Sequence, residues 1–213
     1  AANTRRVYAV NPDADTISVL DADSLAVLAE FPTCADPRSV AVQPGGTLWV
    51  ACHDDDRIRV MNAQNGAVLA DLDTGYGSAP VGVALNPAGT TAFVSLDGRR
   101  QVRRYDTTTR QQTGAVTVEG RPRALAVSAD GTRLFATRFL SARHHGELYE
   151  LNAATMALVA THRIPKFGND ANRDTTATGK GVINQLAGAA ISPRTGRVLI
   201  AGNKPNSERG LLI

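Results

Sequence analysis

Four kinds of short segment recur in fixed order along the 213-residue chain, and this repetition narrows its fold more than any other feature. The first kind is an apolar run that ends in Pro, Asp or Gly. It reads Ser39–Val42 before Gln43-Pro44-Gly45-Gly46, Gly82–Leu85 before Asn86-Pro87-Ala88-Gly89, and Ala124–Val127 before Ser128-Ala129-Asp130-Gly131. It returns as Gly188–Ile191 before Ser192-Pro193-Arg194-Thr195-Gly196, a turn with one extra residue. Such runs read as strands entering tight hairpins. The second kind follows each turn: Leu48–Cys52, Ala92–Leu96, Leu134–Arg138 and Val198–Gly202, with Val7–Asn11 as an earlier copy. The third alternates apolar and polar residues before Asp or Asn, as in Ile17–Asp21, Ile58–Asn62, Val102–Asp106 and Leu148–Asn152. The fourth is a more exposed strand, for example Ala67–Leu72.

The second segment recurs at intervals of 41, 44, 42 and 64 residues. Its β-branched, aromatic and small residues favour strands, and no stretch holds a 3.6-residue apolar period for long. Four short strands per repeat of this length describe an all-β β-propeller of four-stranded antiparallel blades. With the inner strand named A and the outer D, the chain runs B-C-D, then three whole blades, then A-B. The expected blades are 7–31 (partial), 39–73, 82–118, 124–164 and 187–213 (partial), in a single domain with a long loop over 165–186. Such a chain reads as the N-terminal part of a larger propeller, its missing strands supplied by further sequence or another chain. Two alternatives are a small closed ring, with Ala187–Ser192 completing the first blade, and closure by dimerisation.

The apolar-Tyr/Phe-Val-Ala strand, the Val-x-Val-x-Asp strand and the Val-Ala-x-Ser-Pro-Asp-Gly turn together resemble the YVTN-family (YncE-like) β-propeller repeat. The resemblance covers nearly the whole chain except parts of 163–186, and it implies a propeller of seven blades. The stretch Gly179–Leu186 continuing into Ala190-Ile191-Ser192-Pro193 is similar to a subgroup of extracytoplasmic propellers. In that subgroup the propeller often precedes a di-haem, cytochrome-c-peroxidase-like module. The implied partner is a haem domain outside these residues, which contain no Cys-x-x-Cys-His attachment site.

Strand direction alternates, so the D-to-A and B-to-C connections share one face and the short stereotyped turns share the other. Irregular loops collect on the first face, and that is the expected binding face. His53, Asp54, Asp55 and Asp56 on one loop, with His144 and His145 on another, offer imidazole and carboxylate ligands for a divalent metal. The simpler reading is a solvated acidic turn and two surface histidines, because no motif of fixed ligand spacing is present. His162 lies on an outer strand in a structural role. Cys34 and Cys52 fall near one rim and are candidates for a disulfide, which would fit an oxidising compartment. The alternative is two thiols, with Cys52 buried as a small apolar residue. Gly179-Lys180-Gly181 lacks the upstream Gly and the Ser/Thr of a phosphate loop.

Charge is uneven, with 7 Lys/Arg against 12 Asp/Glu in residues 1–100 and 16 against 8 in residues 101–213. The basic residues are scattered and form no block, which argues against nucleic-acid binding. Apolar runs are short, which excludes a membrane-spanning helix. Neither a Gly-x-Ser-x-Gly elbow nor a His-Glu-x-x-His motif occurs, and Ser128–Thr132 is a blade turn rather than a sialidase Asp-box. The expected function is therefore a non-catalytic binding or protein-interaction scaffold, periplasmic or extracellular, with no cofactor. A metal-dependent hydrolase or lactonase is the alternative, and a propeller attached to a haem redox domain is a third.

Overall fold

The structure, a computed structural model, describes residues 5–165 and 182–203. Every strand in it pairs antiparallel with its neighbour in sequence. The first sheet holds β1 (Arg6–Asn11), β2 (Thr16–Asp21) and β3 (Val27–Pro32). The second holds β4 (Pro37–Gln43), β5 (Thr47–Cys52), β6 (Arg57–Asn62) and β7 (Val68–Asp73). The third holds β8 (Pro80–Leu85), β9 (Thr91–Leu96), β10 (Gln101–Asp106) and β11 (Gln112–Thr117). The fourth holds β12 (Pro122–Val127), β13 (Arg133–Arg138), β14 (His145–Asn152) and β15 (Leu158–Pro165). The last comprises β16 (Asn184–Ile191) and β17 (Val198–Asn203). The architecture is that of all-β propeller blades, with strands falling B-C-D, then three times A-D, then A-B.

The inner strands lie side by side: β4 packs on β8, β8 on β12 and β12 on β16. Because β16 pairs with β17 and packs against β12, it does not complete the first sheet, so the small-ring expectation is not met. β16 starts at Asn184, three residues before the expected 187, and residues 166–181 of the expected loop lie outside the described residues. The Gly179-Lys180-Gly181 stretch lies outside the described residues.

Alternation along a strand sends successive side chains to opposite faces, and here both faces are covered by a neighbouring blade. In β5, Leu48, Val50 and Cys52 pack with Ile17, Val19 and Phe31 of the first sheet. Trp49, between them, packs with Val94, Leu96 and Tyr105 of the third. A matching cluster of Phe93, Val102, Leu134, Tyr149 and Leu151 joins the third and fourth sheets. The two-sided burial explains why the B strands lack the polar alternation of a solvent-facing sheet.

The Asp or Asn that ends each C strand has a shared task. Asp21 accepts backbone N–H bonds from Asp23 and Ser24, and Asp106 from Thr108 and Thr109. Asn62 and Asn152 do the same for Gln64, Asn65, Ala154 and Thr155. These are Asx turns, in which a short side chain satisfies turn amides that have no ladder partner.

Ladder register breaks after the first proline of three inner strands, between Pro37 and Ser39, Pro80 and Gly82, and Pro122 and Leu125. A buried hydroxyl from the adjacent B strand repairs two of these breaks. Ser95 Oγ accepts from Gly82 N at 2.8 Å and donates to the Arg123 carbonyl of the next blade at 2.6 Å. Thr137 Oγ1 accepts from Ala124 N at 3.0 Å and donates to the Leu186 carbonyl of the blade beyond at 2.7 Å. Both side chains are fully shielded from solvent. A Cβ at Gly82 would overlap the Arg123 carbonyl, so the close approach of β8 to β12 requires glycine there. Ser95→Ala strands a buried N–H and a buried C=O, and is expected to cost about 2–3 kcal/mol in urea unfolding. Ser39→Ala, whose hydroxyl lies 3.4 Å from Val83 N in a half-buried setting, is expected to cost less than about 1 kcal/mol.

Candidate functional site

The inner strands frame a depression of about 380 Å³ lined by Arg38–Ser39, Val81–Val83, Arg123–Leu125 and Ala187–Ala189. On β4, β8 and β12 its lining is made of the early strand residues, those that follow the D-to-A connections. Around this mouth the charged side chains of three successive blades meet, and most of them hold loops in place.

In the second blade, Asp36 precedes the proline that starts β4 and adopts a left-handed φ of 49°. Its N–H is capped by Asp15 Oδ1 of the first blade at 2.9 Å, and its carbonyl accepts from His53 N at 3.1 Å. The disulfide between Cys34 and Cys52, with Cα atoms 5.7 Å apart, ties this loop to the end of β5. Both cysteines are buried, at 2% and 0% exposure, so the bridge is out of reach of solvent reductant.

Asp36 Oδ2 takes Arg38 Nε at 2.8 Å and Arg38 Nη2 at 2.6 Å, and lies 3.2 Å from His53 Nδ1. Asp54 Oδ1 is 2.6 Å from the same His53 nitrogen. Asp36, His53 and Asp54 thus form a cluster whose ligand atoms lie within 4.8 Å of one another. Two of the three were legible as metal-ligand types in the sequence; Asp36 was not. A metal there would have to share Asp36 with a guanidinium already seated on it, and like charges in contact oppose that.

The remaining expected ligands go elsewhere. Asp55 accepts from Ala35 N at 3.0 Å and faces Arg57. Asp56, at φ 51°, accepts from Gly77 N at 2.7 Å, Ala79 N at 2.8 Å and Ser78 Oγ at 3.2 Å. Burial opposes its ionisation, but those donors outweigh burial and hold its carboxyl below the ordinary range. His144 is exposed. His145 opens β14 and pairs its Nε2 with Glu147 Oε1 at 2.8 Å. Neither histidine joins the Asp36–His53–Asp54 cluster. His162 sits on β15 and bonds Glu150 at 2.6 Å, in a structural contact.

Glu147 is almost fully buried, in a network that sequence gave no sign of. It accepts from Arg138 Nη1 at 2.8 Å and Tyr149 Oη at 3.1 Å, and Tyr149 in turn accepts from Gly120 N at 2.8 Å. Burial opposes the charge on Glu147, yet Arg138 and His145 keep its carboxyl below its ordinary value. Burial, foremost, pushes the Tyr149 phenol up to about 12.

On the third and fourth blades the mouth carries Asp97, Arg121, Arg123 and Phe139. Asp97 is 6% exposed and its Oδ2 lies 3.5 Å from Arg121 Nη1, while its Oδ1 has no hydrogen-bond partner among the described residues. The Arg123 guanidinium lies 3.5 Å above the Phe139 ring. Its Nε is buried and also lacks a partner. The signal for this pair of cations was present in the repeat: Arg38 follows Pro37 as Arg123 follows Pro122.

Asp56→Asn weakens a carboxylate cap that serves three donors, and is expected to cost about 1–3 kcal/mol at neutral pH. A carboxylate held below its ordinary value stabilises the fold above its unfolded pKa, near 3.8. That contribution fades as pH falls through the folded value. The gap between wild type and variant, read by urea unfolding, should therefore narrow below about pH 4.

No protein-family model and no curated protein matches this sequence. Solved structures match in large number, 1313 chains, so the likeness reports a common architecture rather than a particular chemistry. Among them, Kuenenia stuttgartiensis hydrazine synthase aligns with a TM-score of 0.80 at 19% identity. The alignment covers 97% of this chain and 55% of that one, so this chain spans about half the length of that structure. At such identity the match bears on fold alone, and with the sheet order it establishes a β-propeller fold.

Proposed function

We propose that the chain is a binding propeller of the YVTN type, without catalysis of its own, that meets its partner through the loop-rich face and the channel mouth. The observation that carries this reading is the state of Asp36. Arg38 Nε and Nη2 and the His53 ring converge on one Asp36 oxygen, so this carboxylate is committed to holding the loop. Asp55 and Asp56 are likewise spent on loop amides. What the face does offer is rigid, charged and concave, which suits recognition. The buried Cys34–Cys52 bridge supports a periplasmic or extracellular setting, where such bonds persist. A haem-domain partner beyond these residues is part of the same proposal and rests on the sequence resemblance of Gly179–Leu186 continuing into Ala190–Pro193.

The convergence of Asp36, His53 and Asp54 favours one second reading, a metal-dependent hydrolase or lactonase. Thermal unfolding in zinc chloride against EDTA separates the two. A metal at a hundred times its Kd adds about 2.7 kcal/mol to stability, which in a domain of this size raises Tm by several degrees. The binding-propeller reading expects the same Tm in both solutions. A rise in zinc that disappears in His53→Gln would replace it with the metal reading.

A further inference from the structure

Arg123 presents a cation that the described residues leave unanswered. Its guanidinium carries five N–H donors and makes no hydrogen bond to any described residue, while its Nε is sealed from solvent. Its face rests on Phe139, which steers the charged edge without neutralising it. The other two guanidinia at the mouth are paired, Arg38 with Asp36 and Arg121 with Asp97. Of the three guanidinia, Arg123 is the one with no carboxylate at ion-pair distance among the described residues.

The fold does not require a cation at that position. The equivalent residue after the first proline of the third blade is Val81, and that blade packs normally. Burial is the main influence depressing the Arg123 pKa, reinforced by Arg38 and Arg121 and opposed by Asp97 and Asp36, so the charge is held at a cost. A bound anion would relieve it.

The depression in front of Arg123 states the size and shape of that anion. Its walls are Ser39, Gly82, Ala124 and Gly188 with the aliphatic side chains of Val81, Val83 and Leu125, and no carboxylate lines it among the described residues. At about 380 Å³ it admits a compact group. A guanidinium fork matches the two oxygens of a carboxylate. We propose that the channel mouth is a carboxylate-binding site, in which Arg123, with Arg38 beside it, holds the carboxylate and the small-residue walls receive a short apolar stem. The proposal rests on the binding-propeller reading and deepens it.

Titration of the full chain with sodium butyrate at constant ionic strength, followed by amide NMR, tests it, with butyramide as the uncharged isostere. The expected result is saturable shifts centred on Gly82, Ala124 and Gly188 for butyrate and none for butyramide. Arg123→Met should weaken butyrate binding about tenfold to a hundredfold, and Arg38→Met should weaken it several-fold. Arg99→Met, an exposed change on the same face, should leave it within about twofold. A blocked dipeptide with a free C-terminal carboxylate identifies the source. Tighter binding than butyrate assigns a partner's C-terminus, and weaker binding assigns a free small acid. Equal shifts with butyramide, full affinity in a folded Arg123→Met, or tighter binding of inorganic phosphate would each overturn the proposal. Failure of butyrate to bind while zinc leaves Tm unchanged removes only the ligand class and keeps the binding propeller. A zinc-dependent Tm lost in His53→Gln removes the non-catalytic binding reading itself.

Discussion

Two buried hydroxyls set the distance between inner strands, and the rest of the molecule is arranged around that distance. Ser95 and Thr137 each accept a hydrogen bond from an amide freed by a register break in their own blade and donate one to a carbonyl of the next. Apolar packing alone would bring neighbouring blades together with little preference for one sliding position over another. A hydrogen bond fixes the position because its geometry tolerates only a few tenths of an ångström. Since the Ser95 acceptor is the carbonyl of Arg123, the same contact that spaces β8 from β12 also fixes the backbone that presents the Arg123 guanidinium.

The chemistry of the loop-rich face divides into groups that hold the scaffold and groups left over. Asp15, Asp55 and Asp56 satisfy backbone amides that blade-to-blade crossings leave without ladder partners. Arg38 and Arg121 each have a carboxylate. Glu147 is buried but fully engaged by Arg138, His145 and Tyr149. Removing all of these from consideration leaves Arg123 and the mouth it overlooks. Arg123 is half-buried, with its Nε sealed and without a hydrogen bond among the described residues, and the equivalent position one blade earlier is valine, so packing of the blade does not account for the arginine.

The fold was legible because propeller blades write themselves into sequence twice, once as two-sided apolar strands such as Leu48–Cys52 and once as turn residues such as Asn62 and Asp106. Both signals depend on neighbours close in the chain. The site was legible only in part. His53 and Asp54 could be named by residue type, but Asp36 joins them across a blade crossing that no local pattern encodes. The run Asp54-Asp55-Asp56 reads as three equivalent carboxylates, yet the left-handed φ of Asp56 turns it into a cap for the next blade while Asp54 stays in solvent. Arg38 and Arg123 were hidden for another reason. Each sits inside a strand segment, where a repeat is read for its apolar residues and the charged position following proline is passed over.

The central claim is that the hydroxyl bridges lock the inner strands, and native-state hydrogen exchange of the Gly82 and Ala124 amides tests it most directly. Both donate to a buried hydroxyl rather than to a regular ladder partner. If the bridges lock the channel, both amides exchange only through global unfolding, in the slowest class and with the full denaturant dependence of the domain. Fast exchange of either one, insensitive to denaturant and well below the protection of the neighbouring β9 and β13 amides, would show that the inner strands open locally and would contradict the account.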